Sequence, residues 1–197
     1  MICCLDLEGV LIPEIWINVA KKTGIKALEI TTRDEPDYDK LMRYRLAILK
    51  RERIKLCDIQ AVIKRMNPLP GAKAFLKKLQ ERYQVIILSD TYYEFAGPMM
   101  KKLGNPTLFC NCLSEDKKGF IGNYHLRQKN GKKEAVRAIK GLGFNVVAAG
   151  DSYNDIAMLK TADRGILFRP PAKIVRQFPR FKVTRTYAQL LKAFSKD

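Results

Sequence analysis

Four short aliphatic runs, Ile2–Leu5, Val85–Leu88, Val146–Ala149 and Gly165–Phe168, set the strongest limit on how this chain can fold. Each is too short for a helix, is rich in β-branched or aliphatic residues, and is bounded by turn formers. That is the pattern of strands buried on both faces of a parallel sheet. Between them lie stretches of helical spacing at Gly71–Arg82, Tyr92–Leu103, Gly131–Leu142 and Asn154–Thr161. Leu69-Pro70-Gly71 and Asn130-Gly131 punctuate helix starts. Pro98 is expected to kink or break its helix. Strands alternating with helices predict a doubly wound parallel α/β sheet.

Two segments depart from this alternation. Pro13–Met66 is long and mostly helical in pattern, with helices expected near Pro13–Lys22, Asp39–Arg53 and Asp58–Met66. It reads as a small helical cap inserted after the first strand. The expected division is a cap at 13–67 and an α/β core made of 1–12 and 68–197. Thr107–Leu126 carries turn signals at Asp116–Gly119 and Gly122–Asn123, which suit a β-hairpin. The basic tail, Pro170–Asp197, is expected to end in a helix at Tyr187–Phe194.

Composition removes several function classes. The longest stretch without a charge is Leu103–Ser114, twelve residues, whereas a membrane-spanning helix needs about 20. No membrane partner is expected. Met1-Ile2-Cys3-Cys4-Leu5-Asp6 lacks the basic start of a secretory signal. The five cysteines, Cys3, Cys4, Cys57, Cys110 and Cys112, are therefore read as reduced thiols of a cytoplasmic protein. Cys110 and Cys112 are too close and too isolated for zinc and are expected to be buried. His125 is the single histidine, so no histidine triad can be built. The net charge of +17, from 37 basic and 20 acidic residues, suits phosphate or nucleic-acid partners. No aromatic stacking platform or nucleic-acid motif accompanies it. The basic residues are read as a solvated surface.

In an open α/β sheet, ligands sit beyond the carboxyl ends of the strands. The residues there are Asp6-Leu7-Glu8-Gly9-Val10, Ser89-Asp90-Thr91 and Gly150-Asp151-Ser152-Tyr153-Asn154-Asp155. Asp6, Glu8, Ser89, Asp90, Asp151 and Asp155 thus converge on one crevice, with Lys132 near the start of the preceding helix. Clustered carboxylates raise one another's pKa unless a cation relieves them. Mg²⁺ does so while taking substrate phosphate oxygens. The phosphate then needs Lys132, the Ser89 hydroxyl and helix amides. In this reading Asp6 is the nucleophile that forms an aspartyl phosphate, and Glu8 is the acid and base. Asp6, Asp151 and the Glu8 carbonyl hold Mg²⁺, and Asp155 orients a metal-bound water. Gly9 lets the backbone turn beside the phosphate.

These motifs, in this order and spacing, resemble those of the haloacid dehalogenase superfamily. Leu5–Trp16, Thr31–Tyr38, Val85–Ala96 and Ala148–Asp155 are most similar to its phosphoserine phosphatase branch, including phosphoserine:homoserine phosphotransferases. The likeness covers nearly the whole chain and is weakest after about Pro179. One departure is Glu8, where the superfamily usually has Asp. The extra methylene shifts the carboxyl by about 1.5 Å. The resemblance implies L-phosphoserine as donor, Mg²⁺ as cofactor, and water or homoserine as acceptor, in serine or threonine biosynthesis. It favours Lys132 over Lys133 as the phosphate ligand, with Asn154 beside it. It implies Glu14 for the substrate ammonium and Arg45 for the substrate carboxylate. At about 100° per residue, Arg45 falls inside the apolar stripe of Leu41, Ile48 and Leu49, where a charge needs an anion. Glu52, two turns on, is an internal alternative. Two rival readings remain: a phosphatase for another phosphomonoester, and a nucleic-acid-binding protein on an inactive scaffold. The oligomeric state stays open, a homodimer included.

Overall fold

The computed structural model describes residues 1–31, 34, 35 and 37–195. Within the Thr31–Tyr38 stretch, residues 32, 33 and 36 lie outside the described residues. Seven strands form one sheet: β1 (Ile2–Leu5), β2 (Gln84–Tyr92), β3 (Thr107–Glu115), β4 (Ile121–His125), β5 (Val146–Gly150), β6 (Arg164–Phe168) and β7 (Lys182–Thr184). Their order is β4-β3-β2-β1-β5-β6-β7. All pairs are parallel except β3 with β4, the expected hairpin.

The central strands β1 and β5 are apolar throughout because both faces are covered. Cys3 and Leu5 of β1, with Val147 and Ala149 of β5, enter one core. Ile2 and Cys4, with Val146 and Ala148, enter the other. The period-two alternation of a strand thus divides each run between two layers. Helices α4 (Ala72–Gln80), α5 (Tyr93–Leu103) and α9 (Tyr187–Phe194) lie on the first face. Helices α6 (Gly131–Gly141), α7 (Ile156–Thr161) and α8 (Ala172–Gln177) lie on the second.

Helices α1 (Ile15–Thr23), α2 (Tyr38–Arg51) and α3 (Leu56–Arg65), with a 3₁₀ turn at Lys26–Glu29, fill the interval between β1 and α4. Their apolar faces join the first core. No helix among the described residues is long and apolar enough to cross a membrane.

Pro98 does not break α5, which runs on to Leu103. A proline here removes the N–H that would bond the Glu94 carbonyl. Gln60 of α3 donates its side-chain amide to that carbonyl at 2.9 Å. Cys112 is exposed rather than buried, while Cys110 is buried. The α8 and β7 elements lie in the basic tail, where the sequence pattern suggested only the last helix.

Candidate active site

The loop after β1 is held open to ligand by one glycine. Asp6 donates its N–H to the Ala149 carbonyl at 2.9 Å, continuing the ladder towards β5. The chain then reverses through Gly9 N–H to Ile12 O, at 2.8 Å. Gly9 has φ +79°, and a Cβ there would sit 2.6 Å from the Asp151 carboxylate. Both the left-handed conformation and the close approach require glycine. Gly150 is constrained differently: a Cβ there would meet the Asp155 side chain at 2.3 Å.

Strand β2 is longer than its aliphatic run. It continues through Ser89, Asp90 and Thr91 to Tyr92. Its register against β3 shifts between Leu88 and Tyr92, an irregularity of the kind that re-aims side chains. Ser89 is therefore a strand residue. Its hydroxyl accepts from the Thr91 N–H at 3.2 Å.

Lys132 is the hub. Asn130 takes a left-handed conformation before α6, and Lys132 falls in the first turn, only 7% exposed. Its ammonium lies 2.8 Å from Asp6 Oδ1, 2.8 Å from Asp155 Oδ1 and 3.4 Å from Asp90 Oδ2. Burial alone would depress Lys132, but Asp155, Asp6 and Asp90 outweigh it and hold its pKa well above the ordinary value. Asp155 is fully buried. Its Oδ2 accepts from the Asp151 and Ser152 N–H groups, each at 3.0 Å, and from the Ser152 hydroxyl at 3.2 Å. Asp6 is also buried. Desolvation and the Asp155 and Asp151 charges push its pKa well up against the pull of Lys132.

Carboxylate oxygens of Asp6, Asp151 and Asp155 lie within 4.8 Å of one another, a set that could hold a metal ion. The Glu8 carboxyl is not in this trio. It accepts from the Ile15 N–H at 2.8 Å. Burial first, then the Glu14 charge, push the Glu8 pKa up to about 8. The Ile15 N–H and the Thr91 hydroxyl pull it down, and a hydrogen bond with Glu14 adds to the rise.

Arg45 is buried at 6% exposure. One terminal nitrogen donates to the Ile30 carbonyl at 2.6 Å, and the guanidinium lies over the Trp16 ring at 4.5 Å. Its Nε has no hydrogen-bond partner among the described residues. Glu52 pairs with Arg51 instead, which removes the internal alternative. Nearby, the hydroxyls of Tyr38 and Tyr92 meet at 2.7 Å, and Tyr38 also donates to the Asp90 carbonyl at 3.2 Å.

One cavity of about 230 Å³ is lined by Asp6, Glu8, Glu14, Arg45, Ser89, Asp90, Lys132, Asp151 and Asn154. Every site residue expected from the sequence lines it except Asp155, which lies beneath and braces Lys132. Thr91 and Ser152, which sit in the strand-end segments without an expected role, also line it, as do Tyr38 and Trp16. The signal for Thr91 is its place next to Ser89 and Asp90 at the carboxyl end of a strand.

Residues 1–163 match the haloacid dehalogenase-like hydrolase family, and the chain belongs to that family. It is 54% identical over 195 residues to a phosphoserine phosphatase of Pseudomonas syringae pv. tomato, covering 99% of this chain and 82% of the relative. It is equally 54% identical to phosphoserine phosphatase ThrH of Pseudomonas aeruginosa, covering 99% and 95%. Its fold is similar to a solved phospho-aspartyl intermediate analogue of phosphoserine phosphatase, with TM-score 0.80, 23% identity and 98% of each chain covered.

Proposed function

We propose that this chain is a Mg²⁺-dependent phosphoserine phosphatase and phosphoserine:homoserine phosphotransferase that works through a phosphorylated Asp6. The observation that carries the reading is one cavity holding both halves of the chemistry. It combines the Asp6–Lys132–Asp155 cluster with a buried arginine, Arg45, whose Nε has no hydrogen-bond partner among the described residues. The names of the 54% identical relatives support the same substrate.

The donor set fits a hard dication. Three carboxylates converge, and Asp6 is pushed towards its neutral form by burial and by its acidic neighbours. Asp6, Asp151 and the Glu8 carbonyl would hold the ion. Bound Mg²⁺ supplies charge compensation to the phosphoryl oxygens.

Asp6 attacks phosphorus and forms the acyl-phosphate bond while the bond to the serine oxygen breaks. Glu8, raised to about 8, is protonated at neutral pH and gives its proton to the departing serine oxygen. In the second step Glu8 takes a proton from the acceptor hydroxyl, whose oxygen displaces Asp6 from phosphorus. Water yields inorganic phosphate, and homoserine yields phosphohomoserine. Lys132 and Ser89 bind the phosphoryl group, with Asp90 and Asn154 at the cavity wall. Arg45 pairs with the substrate carboxylate and Glu14 with its ammonium. Residues 13–67 act as the cap that excludes water, so that a positioned alcohol competes. The reading sets this chemistry in the cytoplasm, because a phosphomonoester dianion does not cross a bilayer unaided.

The test is turnover of L-phosphoserine with Mg²⁺, with and without homoserine, for wild type and Asp6→Asn. Phosphohomoserine from wild type alone is the expected result. Phosphate without phosphohomoserine restricts the enzyme to hydrolysis, and no turnover of phosphoserine removes the substrate assignment.

A further inference from the structure

We propose that Tyr187, the first residue of α9, is a positioning residue for the loop that carries Glu8. The proposal rests on the roles given above to Asp6 and Glu8. The Tyr187 hydroxyl donates to the Val10 carbonyl at 2.7 Å, across 177 positions of sequence. Val10 is two residues past Glu8. Tyr187 also lies beyond the 1–163 segment that matches the family.

The ring has little freedom. It stacks on Phe75 with centroids 5.0 Å apart and on Phe168 at 4.9 Å. The Arg169 guanidinium lies 5.1 Å from its centroid. Gly71 leaves room for it, since a Cβ there would stand 3.2 Å from the ring edge. Thr186 and Gln189 cap α9 and fix where Tyr187 starts. Burial pushes the Tyr187 pKa up to about 12, so the hydroxyl keeps its proton to donate.

The loop is held from two sides. The Leu69 N–H bonds the Leu11 carbonyl at 2.9 Å, a backbone contact that side-chain substitution leaves alone. Tyr187 grips the adjacent carbonyl. Between these holds the loop relies on its own short bonds, Gly9 N–H to Ile12 O and the Leu11 and Ile12 N–H groups to Leu7 O. Releasing Val10 frees Gly9 and Glu8 to drift. A drift of about 1 Å in a catalytic group can cost on the order of a hundredfold in rate.

Tyr187→Phe keeps the stacked ring and removes only the hydroxyl. The expected result is a roughly tenfold lower kcat on L-phosphoserine, KM held within about twofold, and faster amide exchange at residues 9–12. Ile174→Ala removes buried apolar volume from α8 in the core on the other face of the sheet, away from Tyr187 and Val10; it is expected to lower Tm and leave kcat unchanged. Wild-type kcat in Tyr187→Phe overturns the proposal, as does an equal kcat loss in Ile174→Ala. If wild type does not turn over phosphoserine, the functional reading fails separately. Exchange at 9–12 then decides, and unchanged protection in Tyr187→Phe overturns the positioning role.

Discussion

Two buried cations stand in this cavity, and they are held in opposite ways. Lys132 has three carboxylates within 3.4 Å. Arg45 has a carbonyl, an aromatic face and a weak contact to Met42 sulfur at 3.8 Å, and its Nε has no hydrogen-bond partner among the described residues. A buried charge without a counter-ion is costly. Lys132 pairs directly with its anions, whereas Arg45 feels the Glu8 and Glu14 charges with no direct ion pair among the described residues. Under the proposed function the first cation assembles the site, and the second pairs with the substrate carboxylate.

The largest effect expected from this contrast is at Lys132. Lys132→Met strands Asp6 and Asp155 in the interior, and breaking a buried pair costs about 3–5 kcal/mol. Chemical denaturation of the metal-free variant should show that loss, with phosphoryl transfer abolished. A wild-type midpoint would break the comparison. Arg45→Met should behave in reverse. Its Tm should stay within about 3 °C of wild type or rise, since no carboxylate is orphaned. Its KM for L-phosphoserine should climb by about a hundredfold, while p-nitrophenyl phosphate, which lacks the carboxylate, is turned over as before. Equal losses on both substrates would count against carboxylate recognition.

A smaller effect belongs to Glu8. Its raised pKa keeps the acid protonated at neutral pH and lets it ionise as pH rises through about 8. The rate of the first step should therefore fall on the alkaline side, read by stopped-flow release of serine, and Glu8→Gln should lack that limb. The smallest effect is expected at Thr91. Its hydroxyl pulls the Glu8 pKa down, so Thr91→Val should move the same limb to higher pH and lower the rate by about threefold at most. A limb moving to lower pH would contradict this assignment.

Much of this was legible because strand ends concentrate the chemistry. Leu5-Asp6, Leu88-Ser89 and Gly150-Asp151 each join an aliphatic run to a polar group, and a parallel sheet aligns such ends. The order of residues cannot report contacts made across distance. Tyr38 meets Tyr92 from 54 positions away, and Tyr187 meets Val10 from 177. Tyr187 stands in no motif, and Tyr38 only closes the Thr31–Tyr38 stretch without a role of its own. The two elements overlooked in the tail carry basic residues inside them, Lys173 and Arg176 in α8 and Lys182 in β7, which blur both apolar periods. Helix α5 runs on through Pro98 because a side chain, Gln60, makes contact where the helix ladder could not.

That contact has a mechanical consequence. Lys102 reinforces it, donating to the Lys64 carbonyl at 2.9 Å, to the Met66 carbonyl, and to Asn67. Helix α3 is thus bolted to α5 near its middle and at its end. Helix α2 meets the far side of the cavity through hydroxyls, Tyr38 to Tyr92 and Tyr124 to Asp39. The segment between β1 and α4 is therefore tied down through carbonyls and the Asn67 side-chain oxygen on the α3 side and through side-chain hydroxyls on α2. The N–H that Pro98 lacks leaves free the carbonyl to which Gln60 binds.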